Sequence, residues 1–394
     1  MSLAALKSRV AGRVDARADT LDDLSRRIHA QPELAFAERY AARSLVEALR
    51  AEGVMAVTAP AGGLDTAFMA EAGSGGALVA ILGEYDALPG VGHACGHNLI
   101  ATGALGAFLA LRDVLPPGAG RVRLLGCPAE ELGNGKVHLI NAGLFRGVDV
   151  ALMFHPGDRD ILDPLMLALV TLDVTFSGKA AHAAAEPHAG INALDALMLA
   201  WSSVSALRQV IRSDSRIHGI ITEGGLAPNI IPERTAARLA IRSSDNAYLE
   251  ELKRRVLACF EGAARATGCA LGHAFSETSE LVNANGPLAE AFAANAAALG
   301  RTLDRRRPGE TRGSTDMGNV TTLVPGIHPY LAIADEPTPG HSHAFTAAAV
   351  TPRAHATMRL AAKALALTAL DVLGDGGLRR RVRGAFEGLV PSRG

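Results

Sequence analysis

Hydrophobic residues in the first 165 positions follow two alternating patterns. Apolar residues recur at helical spacing over 21–29 and 38–52, which predicts amphipathic helices there. Residues 99–114 are almost all apolar or small, and this predicts a helix packed inside a core. Short continuous apolar runs bounded by Gly or polar residues occur at 77–82, 122–125 and 148–154. Such runs are typical of strands buried on both faces of a parallel sheet, so an α/β domain is predicted.

A different pattern begins where apolar and polar residues alternate strictly from Val170 to Phe176. This alternation predicts a half-exposed antiparallel strand. A helix, two strands, a second helix and a last strand are predicted after it, and the order β-α-β-β-α-β describes two helices on one ferredoxin-like sheet. The chain then returns to the first pattern and ends in a predicted polar, Arg-rich tail after Gly374. We therefore expect a discontinuous large domain, 1–168 and 281–394, with a small domain, 169–280, inserted into it.

Composition and charge exclude several classes of partner. The 394-residue chain is 48% hydrophobic, enough for two domain cores. Its formal net charge of −1 offers no basic field for nucleic acid and no polybasic membrane anchor. Residues 1–17 contain no continuous apolar stretch, and no run of about 18 apolar residues could span a bilayer, so a cytoplasmic location is expected. Four widely spaced cysteines are expected to be reduced.

Chemically reactive side chains follow each of the three predicted buried strands. Glu84 and Asp86 come after the first, Glu130 and Glu131 after the second, and His155 after the third. Ligands bind in the crevice at the carboxyl ends of strands in open α/β sheets. These distant residues are therefore expected to meet in one cleft.

A loop rich in Gly and Pro carries a thiol and two imidazoles. Cys95-Gly-His97 supplies groups that hold zinc and similar ions, and Gly96 lets both side chains turn to one site. His93 is an alternative to His97. A second loop, His341-Ser-His343, offers two more imidazoles of which only one need bind.

Counting one imidazole from each loop gives five candidate protein ligands, enough for two divalent ions that share a bridging group and leave a position for water. The candidate ligands are Cys95, His97, Glu131, His155 and His341.

The adjacent carboxylates Glu130 and Glu131 allow two roles. If strand geometry persists they project in different directions, so Glu131 can bind metal while Glu130 faces substrate. Metal-assisted hydrolysis needs a free carboxylate that takes a proton from water and delivers it to the leaving amine. The alternative is a solvated pair at the start of a helix.

The predicted small domain contains polar residues that are candidates for substrate binding. His182 and His188 follow a strand outside the sheet that holds the other groups. Arg242 could form a fork to a carboxylate, and Asn229 could supply amide donors. Each of these residues is also common on ordinary surfaces and turns.

Several motifs together resemble the M20 metallopeptidase/amidohydrolase family. Within that family they look most like the branch of aminobenzoyl-glutamate hydrolases and M20-domain-containing-2 dipeptidases. The resemblance spans nearly the whole chain. The motifs that carry it are Arg27-Ile-His-Ala-Gln-Pro-Glu-Leu34, Gly83-Glu-Tyr-Asp-Ala-Leu-Pro89, His93-Ala-Cys-Gly-His-Asn98, Pro128-Ala-Glu-Glu131, His155-Pro156, Gly178-Lys-Ala-Ala-His-Ala183, Gly313-Ser-Thr-Asp-Met-Gly318 and His341-Ser342.

The resemblance implies a zinc-peptidase-like catalytic domain, with a mostly parallel central sheet and helices on both faces, that binds two divalent ions. It also implies an inserted lid domain that makes a homodimer. Glu130 would be the general base and acid, and Asp86 would orient a ligand. His182 would reach a neighbouring subunit's site to hold the developing oxyanion, and Asn229 and Arg242 would grip the substrate carboxylate.

One departure concerns the end of the first strand, where many relatives have His-x-Asp and this chain has Glu84-Tyr-Asp86. His97 would then supply the missing imidazole. The thiolate of Cys95 favours zinc, while carboxylate-rich relatives often accept manganese or cobalt.

The resulting hypothesis is a dinuclear metallohydrolase, of the aminoacylase or dipeptidase type, that cleaves an amide bond of an N-acyl amino acid or dipeptide-like substrate with a free carboxylate. A metal-activated water would attack, with Glu130 moving the proton. One rival hypothesis is a metal-holding binding or regulatory protein with a decayed site. Another is an enzyme with Cys95 as nucleophile. No sequence feature selects the amide substrate.

Overall fold

The computed structural model describes residues 2–389, and positions 1 and 390–394 of the predicted large domain lie outside them. The chain divides into two compact units. The large unit comprises Met1–Leu165 and Val282–Gly394, and the small unit comprises Met166–Leu281. Among the described residues, no helix combines the length and apolar character needed to cross a bilayer.

The strands of the two units range from two to ten residues in length. In chain order they are β1 Val57–Thr58, β2 Phe68–Ser74, β3 Leu78–Glu84, β4 Gly120–Cys127, β5 Val150–Leu152, β6 His155–Gly157, β7 Ala168–Ser177, β8 Arg216–Glu223, β9 Arg234–Ser243, β10 Ala270–Phe275, β11 Gly326–Ile327 and β12 Tyr330–Ala332.

The helices vary from single turns to more than six turns. They are α1 Leu3–Asp15, α2 Ala18–Ala30, α3 Arg39–Ala51, α4 His97–Val114, α5 Glu130–Gly133, α6 Gly135–Asn141, α7 Ala193–Arg208, α8 Asn246–Thr267, α9 Gly286–Ala298, α10 Met317–Leu323, α11 His343–Ala348, α12 Pro352–Gly374 and α13 Gly376–Leu389.

The large unit is built on a six-stranded sheet of order β1-β2-β4-β3-β5-β11. The pairs from β4 through β3 and β5 to β11 are parallel, whereas β1 and β2 add an antiparallel edge. Every residue of β3 is buried, as expected for an apolar run covered on both faces. The predicted α/β class with a mostly parallel sheet is confirmed.

Helix α4 is the buried helix predicted from residues 99–114. It packs against β3 and β4, and the two elements approach closely at Gly83. A Cβ atom at Gly83 would lie 3.2 Å from the Cα atom of Ala101, so a larger residue would push helix and strand apart. This close packing fixes the helix that begins at His97 to the strand that ends at Glu84.

The small unit is an antiparallel sheet of order β10-β7-β9-β8 with helices α7 and α8 packed on it. Along β7 the predicted alternation holds, since Val170 and Leu172 are buried while Asp173 between Leu172 and Val174 is exposed. The element order is the predicted β-α-β-β-α-β. Strand β8 lies at an edge of the sheet.

Two local predictions differ from the structure. The apolar run 148–154 contains only the short strand β5, and a separate strand, β6, begins at His155 and pairs with β12. The chain after Gly374, predicted as a polar Arg-rich tail, forms helix α13. Leu378 and Val382, one turn apart, bury one face of this helix, which the abundance of Arg obscured.

Candidate metal centre

Three unusual backbone conformations place the reactive side chains beyond the strand ends. Gly96 has φ of 73°, and a Cβ atom there would lie 2.9 Å from the Pro156 side chain, so glycine is needed between Cys95 and His97. Ala129 has φ of 59° and starts the single turn that carries Glu130 and Glu131. His341, with φ of 58°, is the third. Strand geometry, the condition under which the sequence predicted different directions for Glu130 and Glu131, therefore does not persist here, because both residues lie in a helical turn.

The donor atoms of the predicted ligands lie close together in two groups. The donor atoms of Cys95, His97 and His155 all lie within 4.8 Å of one another. The same holds for Cys95, Glu131 and His341. Cys95 belongs to both groups, so its sulfur could serve as a ligand in either.

His97 is oriented by Asp86. Its Nδ1 atom lies 2.9 Å from Asp86 Oδ1 and 3.0 Å from the Asp86 carbonyl oxygen. Both oxygens accept, so Nδ1 carries a proton and Nε2 is the nitrogen that faces the donor groups. Burial alone would lower the pKa of His97, but Asp86, Glu84 and Glu131 outweigh burial and raise it. The pocket around His97 is therefore strongly anionic and attracts cations.

His155 presents its Nε2 atom for a similar reason. Its Nδ1 atom lies 2.6 Å from the carbonyl oxygen of Pro156, which fixes the proton on Nδ1. The ring stacks on Tyr330 with centroids 4.6 Å apart. Burial, together with the nearby His97, lowers the pKa of His155 to about 4. A neutral imidazole with a free lone pair is the form that binds metal.

Glu131 and His341 complete the second group. The Glu131 backbone N–H donates to Asp86 Oδ2 over 2.9 Å, so Asp86 contacts both groups. His341 Nε2 lies 3.6 Å from Glu131 Oε2, and the His341 side chain is 62% exposed. His343 instead begins α11 and belongs to no donor group among residues 2–389.

His93, the sequence alternative to His97, lies outside the donor groups. It is buried and stacks on His29, with ring centroids 5.9 Å apart. Burial lowers the pKa of His93 to about 3. It is therefore a neutral imidazole in the described core.

The donor chemistry and unpaired atoms of this pocket fit divalent cations. His97 Nε2, Glu131 Oε1 and Glu84 Oε2 are buried and make no hydrogen bond. A buried polar atom without a partner costs about 1–3 kcal/mol, so three together at one place indicate a missing electrophile. Sulfur, imidazole and carboxylate donors are those of zinc and related ions.

Glu130 belongs to neither of these two groups, although its donor atom lies within 4.8 Å of those of Glu84 and His97. Its Oε2 atom is 4.0 Å from His97 Nε2. Burial raises the pKa of Glu130 well above the ordinary carboxyl range, and Glu84 and Glu131 raise it further. A carboxyl group with a raised pKa can hold a proton at neutral pH, which a residue that both accepts and donates protons requires.

The thiol of Cys95 is poorly suited to act as a nucleophile by itself. Burial raises its pKa well above the usual value, and Glu131 and Glu130 raise it further. Thiolate, the reactive form, is disfavoured there unless a cation compensates the negative charge. The environment therefore favours a ligand over a Cys95 nucleophile.

Sequence reasoning missed a buried ion-pair cluster beside the site. The Lys136 ammonium donates to Glu84 Oε1 and Asp316 Oδ1, and all three side chains are fully buried. Burial alone would lower the pKa of Lys136, but Asp316 and Glu84 raise it well above its usual value. The available signals were Glu84 at a strand end and Asp316 within Gly313-Ser-Thr-Asp-Met-Gly318.

The substrate candidates of the small unit lie on exposed loops or a strand. His182 and Asn229 are neighbours, because Ala183 N–H donates to the Asn229 carbonyl. His182 Nδ1 accepts from two backbone N–H groups, so the neutral ring carries its proton on Nε2. His188 lies in an exposed 3₁₀ turn, and Arg242 is half-buried on β9. Burial lowers the pKa of Arg242.

Comparisons with known proteins cover almost the whole chain. A model of peptidase family M20/M25/M40 matches residues 80–369. A Xaa-Arg dipeptidase from Mus musculus is 42% identical over 400 residues, covering 97% of this chain and 92% of the relative. A p-aminobenzoyl-glutamate hydrolase chain from Escherichia coli is 35% identical, covering 64% of this chain and 57% of that protein. A solved dinuclear metal-binding M20 peptidase from Bacillus subtilis aligns with a TM-score of 0.71 and 21% identity, covering 91% of this chain and 99% of that chain.

Proposed function

The chain belongs to peptidase family M20/M25/M40, and from this premise we propose that it is a dinuclear metal-dependent dipeptidase acting on substrates with a free carboxylate. The family membership confirms the resemblance seen in the sequence motifs. One observation carries the proposal: two donor groups share Cys95, and the unused carboxylate Glu130 lies beside them.

Five residues would hold the two cations. Cys95, His97 and His155 would hold one, while Cys95, Glu131 and His341 would hold the other. When bound, the ions supply Lewis acidity that acidifies water and polarises the amide carbonyl.

Glu130 is the proposed proton carrier. It accepts a proton from the attacking water as the new C–O bond forms, and it delivers that proton to the amide nitrogen as the C–N bond breaks. Its buried position and raised pKa suit both steps, since the protonated form persists between them. Asp86 contacts the His97 ring and accepts the Glu131 backbone N–H, so it holds one member of each donor group in position.

The exposed residues of the small unit are proposed to act on the substrate. With its proton on Nε2, His182 can donate to the developing oxyanion of a substrate bound in the other protomer. Arg242 and Asn229 would bind the substrate carboxylate, and His188 would line the same region. These roles follow the resemblance noted above.

A homodimer through the small unit is part of this proposal. Large apolar side chains are exposed on α7, where Met198 is 50% and Leu199 48% exposed, and on the edge strand β8, where Ile220 is 63% exposed. Edge strands with exposed apolar residues are prone to pair with a second chain. This surface supports a dimer of identical chains.

The relatives suggest an order of substrates to test. The Xaa-Arg dipeptidase similarity extends over 97% of the chain, which supports dipeptides with a C-terminal Arg as the first class. The E. coli relative supports p-aminobenzoyl-glutamate as a second candidate, over 64% of the chain. N-acyl amino acids form the third class.

A panel of amides tests the proposal. The protein, stripped by chelator and reloaded with zinc, manganese or cobalt, is offered Ala-Arg, Ala-Lys, Ala-Glu, p-aminobenzoyl-glutamate and N-acetyl-arginine, and free amine is measured. We expect Ala-Arg to give the highest kcat/KM. Glu130→Gln, the matched control, should keep its metal and lose at least about 100-fold in kcat. Failure of the loaded protein to cleave any member, or full activity of the control, would contradict the proposal.

A further inference from the structure

Glu84 is a buried carboxylate that the proposed reaction does not use. Its side chain is 0% exposed at the end of β3. One oxygen, Oε1, accepts from Lys136, whereas Oε2 is buried and makes no hydrogen bond. An ionised oxygen left without a partner in such a place is costly, so this atom needs an electrophile.

Neither Glu84 Oε2 nor His97 Nε2 makes a hydrogen bond, and the two atoms lie 3.4 Å apart. Asp86 holds the other nitrogen of His97, so Nε2 is the nitrogen that can bind a cation once it has given up any proton. A charge-assisted N–H···O bond would be shorter, at about 2.7–2.9 Å. Two donors bound to one tetrahedral zinc at about 2.0–2.1 Å are separated by roughly 3.3–3.4 Å. The observed separation fits two ligands of one cation.

Lys136 and Asp316 fix the orientation of this carboxylate. Lys136 donates to both Glu84 and Asp316, and its own backbone N–H donates to Asp316 Oδ2 over 2.8 Å. With Oε1 occupied, the Glu84 carboxylate cannot rotate without losing a buried ion pair. Oε2 is thus held toward His97, within the group formed by Glu84, His97 and Glu130.

We propose that Glu84 is a further protein ligand of the cation held by His97, binding through Oε2, with Lys136 and Asp316 as its positioning residues. This inference rests on the dinuclear centre of the proposed function. Glu84 is preferred to Glu130 as the added ligand, because Glu130 Oε2 lies farther from His97 Nε2, at 4.0 Å.

The proposal makes the two cations unequal. Glu84 would give the ion at His97 one more protein ligand than the ion at Glu131, which keeps a position open. The donors of the first are largely buried, while His341 of the second is 62% exposed. The first ion should therefore dissociate slowly and the second quickly.

Metal release measured with a chromophoric chelator tests this inference. The full-length protein is loaded with zinc, its metal content is measured by mass spectrometry, and release is followed in wild type and Glu84→Gln. We expect two ions in wild type, released in a fast and a slow phase. In Glu84→Gln the slow ion should be bound at least about 100-fold more weakly, and the fast ion should change by less than about threefold.

Asp316→Asn is the matched control, since it removes a buried carboxylate from the same Lys136 pair but none from the donor groups. Asp316→Asn should weaken the binding of the slowly released ion by less than about tenfold. An equal loss in both variants would mean that the ion pairs, rather than ligation by Glu84, hold the metal, and would overturn the inference. Two ions at wild-type affinity in Glu84→Gln would also overturn it.

Two further outcomes separate the inference from the function. If wild type binds no ion, the dinuclear function fails and this inference fails with it. If Glu84→Gln does not fold, a crystal structure of the zinc-loaded wild type decides. Glu84 Oε2 at about 2.0–2.2 Å from the ion at His97 supports the proposal, and a separation beyond about 3 Å refutes it.

Discussion

Asp86 Oδ1 lies 2.9 Å from His97 Nδ1, and this contact decides which ring nitrogen of His97 faces the donor groups. The same carboxylate accepts the backbone N–H of Glu131 through Oδ2. One residue therefore orients a member of each group. Carboxylate partners of this kind fix the tautomer of a metal-binding imidazole and raise its basicity.

Replacing Asp86 by Asn should weaken metal binding by about 10- to 100-fold. The amide N–H₂ can donate to Nδ1, which would move the ring proton to Nε2 and block the metal-binding lone pair. Equilibrium dialysis with zinc measures the affinity. Asp65→Asn, at a residue 69% exposed, is the control and should bind as wild type. Unchanged affinity in Asp86→Asn would show that Asp86 does not orient His97.

Replacing Cys95 by Ala should weaken the binding of both cations, because the Cys95 sulfur is common to both donor groups. We expect total zinc per chain to fall from two ions to less than one at micromolar metal, measured after gel filtration. Cys127→Ala is the matched control: Cys127 is fully buried, with its pKa raised by burial, and should keep both ions. A Cys95→Ala variant that loses activity yet retains two ions would instead favour the nucleophile hypothesis.

Mixed dimers should show whether His182 serves the other protomer. The test uses a tagged heterodimer of a Glu130→Gln chain with a His182→Ala chain. If the imidazole comes from the opposite chain, one site has both an intact Glu130 and an intact His182; if it comes from the same chain, neither site has both. If His182 acts across the dimer, the chain with intact Glu130 receives its imidazole from the Glu130→Gln chain, giving about half of wild-type activity. A heterodimer of wild type with the double variant should have almost none. The reverse pair of activities would show that His182 acts within its own chain, and a monomer by light scattering would refute the dimer.

The ion pairs of Arg17 should make stability pH-dependent. Its hydrogen bond lowers the pKa of Glu52, and although burial raises the pKa of Asp113, bonds from Arg112 and Arg17 outweigh burial and lower it. Carboxyl groups with lowered folded-state pKa values stabilise the fold above their unfolded pKa values, and that stabilisation is lost as pH falls through the folded ones. Arg17→Met should therefore cost about 1–2 kcal/mol at pH 7 and less near pH 3.

Urea unfolding at the two pH values measures this difference. Arg13→Met is the control, because Arg13 is 52% exposed and lies 3.8 Å from Asp113. Its effect should stay within about 0.5 kcal/mol at both pH values. An Arg17→Met penalty that does not shrink in acid would mean that packing, and not charge, dominates at this position.

Much of the fold followed from local pattern. Continuous apolar runs and strict alternation have different causes, burial on two faces and burial on one, so the two kinds of sheet could be told apart from sequence. The ends of the helices and strands were harder to predict from the sequence. The short strand β6 depends on pairing with β12, which lies far along the chain, and no local pattern encodes that pairing.

The candidate ligands could be predicted from the sequence because their chemistry is local to their motifs. Cys95-Gly-His97 and Pro128-Ala-Glu-Glu131 each carry donors in a loop that follows a strand. The sequence could not decide between His341 and His343 as the ligand, since both lie in one loop. It depends on where α11 begins, and only His341 comes within a donor group among residues 2–389.

The sequence by itself determined the kind of chemistry this protein has: the types of donor, their positions after strands and the family to which the chain belongs. Only the tertiary structure decided how those groups face one another. Lys136 meets Glu84 and Asp316 across 52 and 180 residues of chain, and these contacts leave Glu84 Oε2 beside His97. The physical reason is that side-chain identity is fixed locally, whereas orientation, burial and the location of a proton depend on neighbours that packing brings from distant segments.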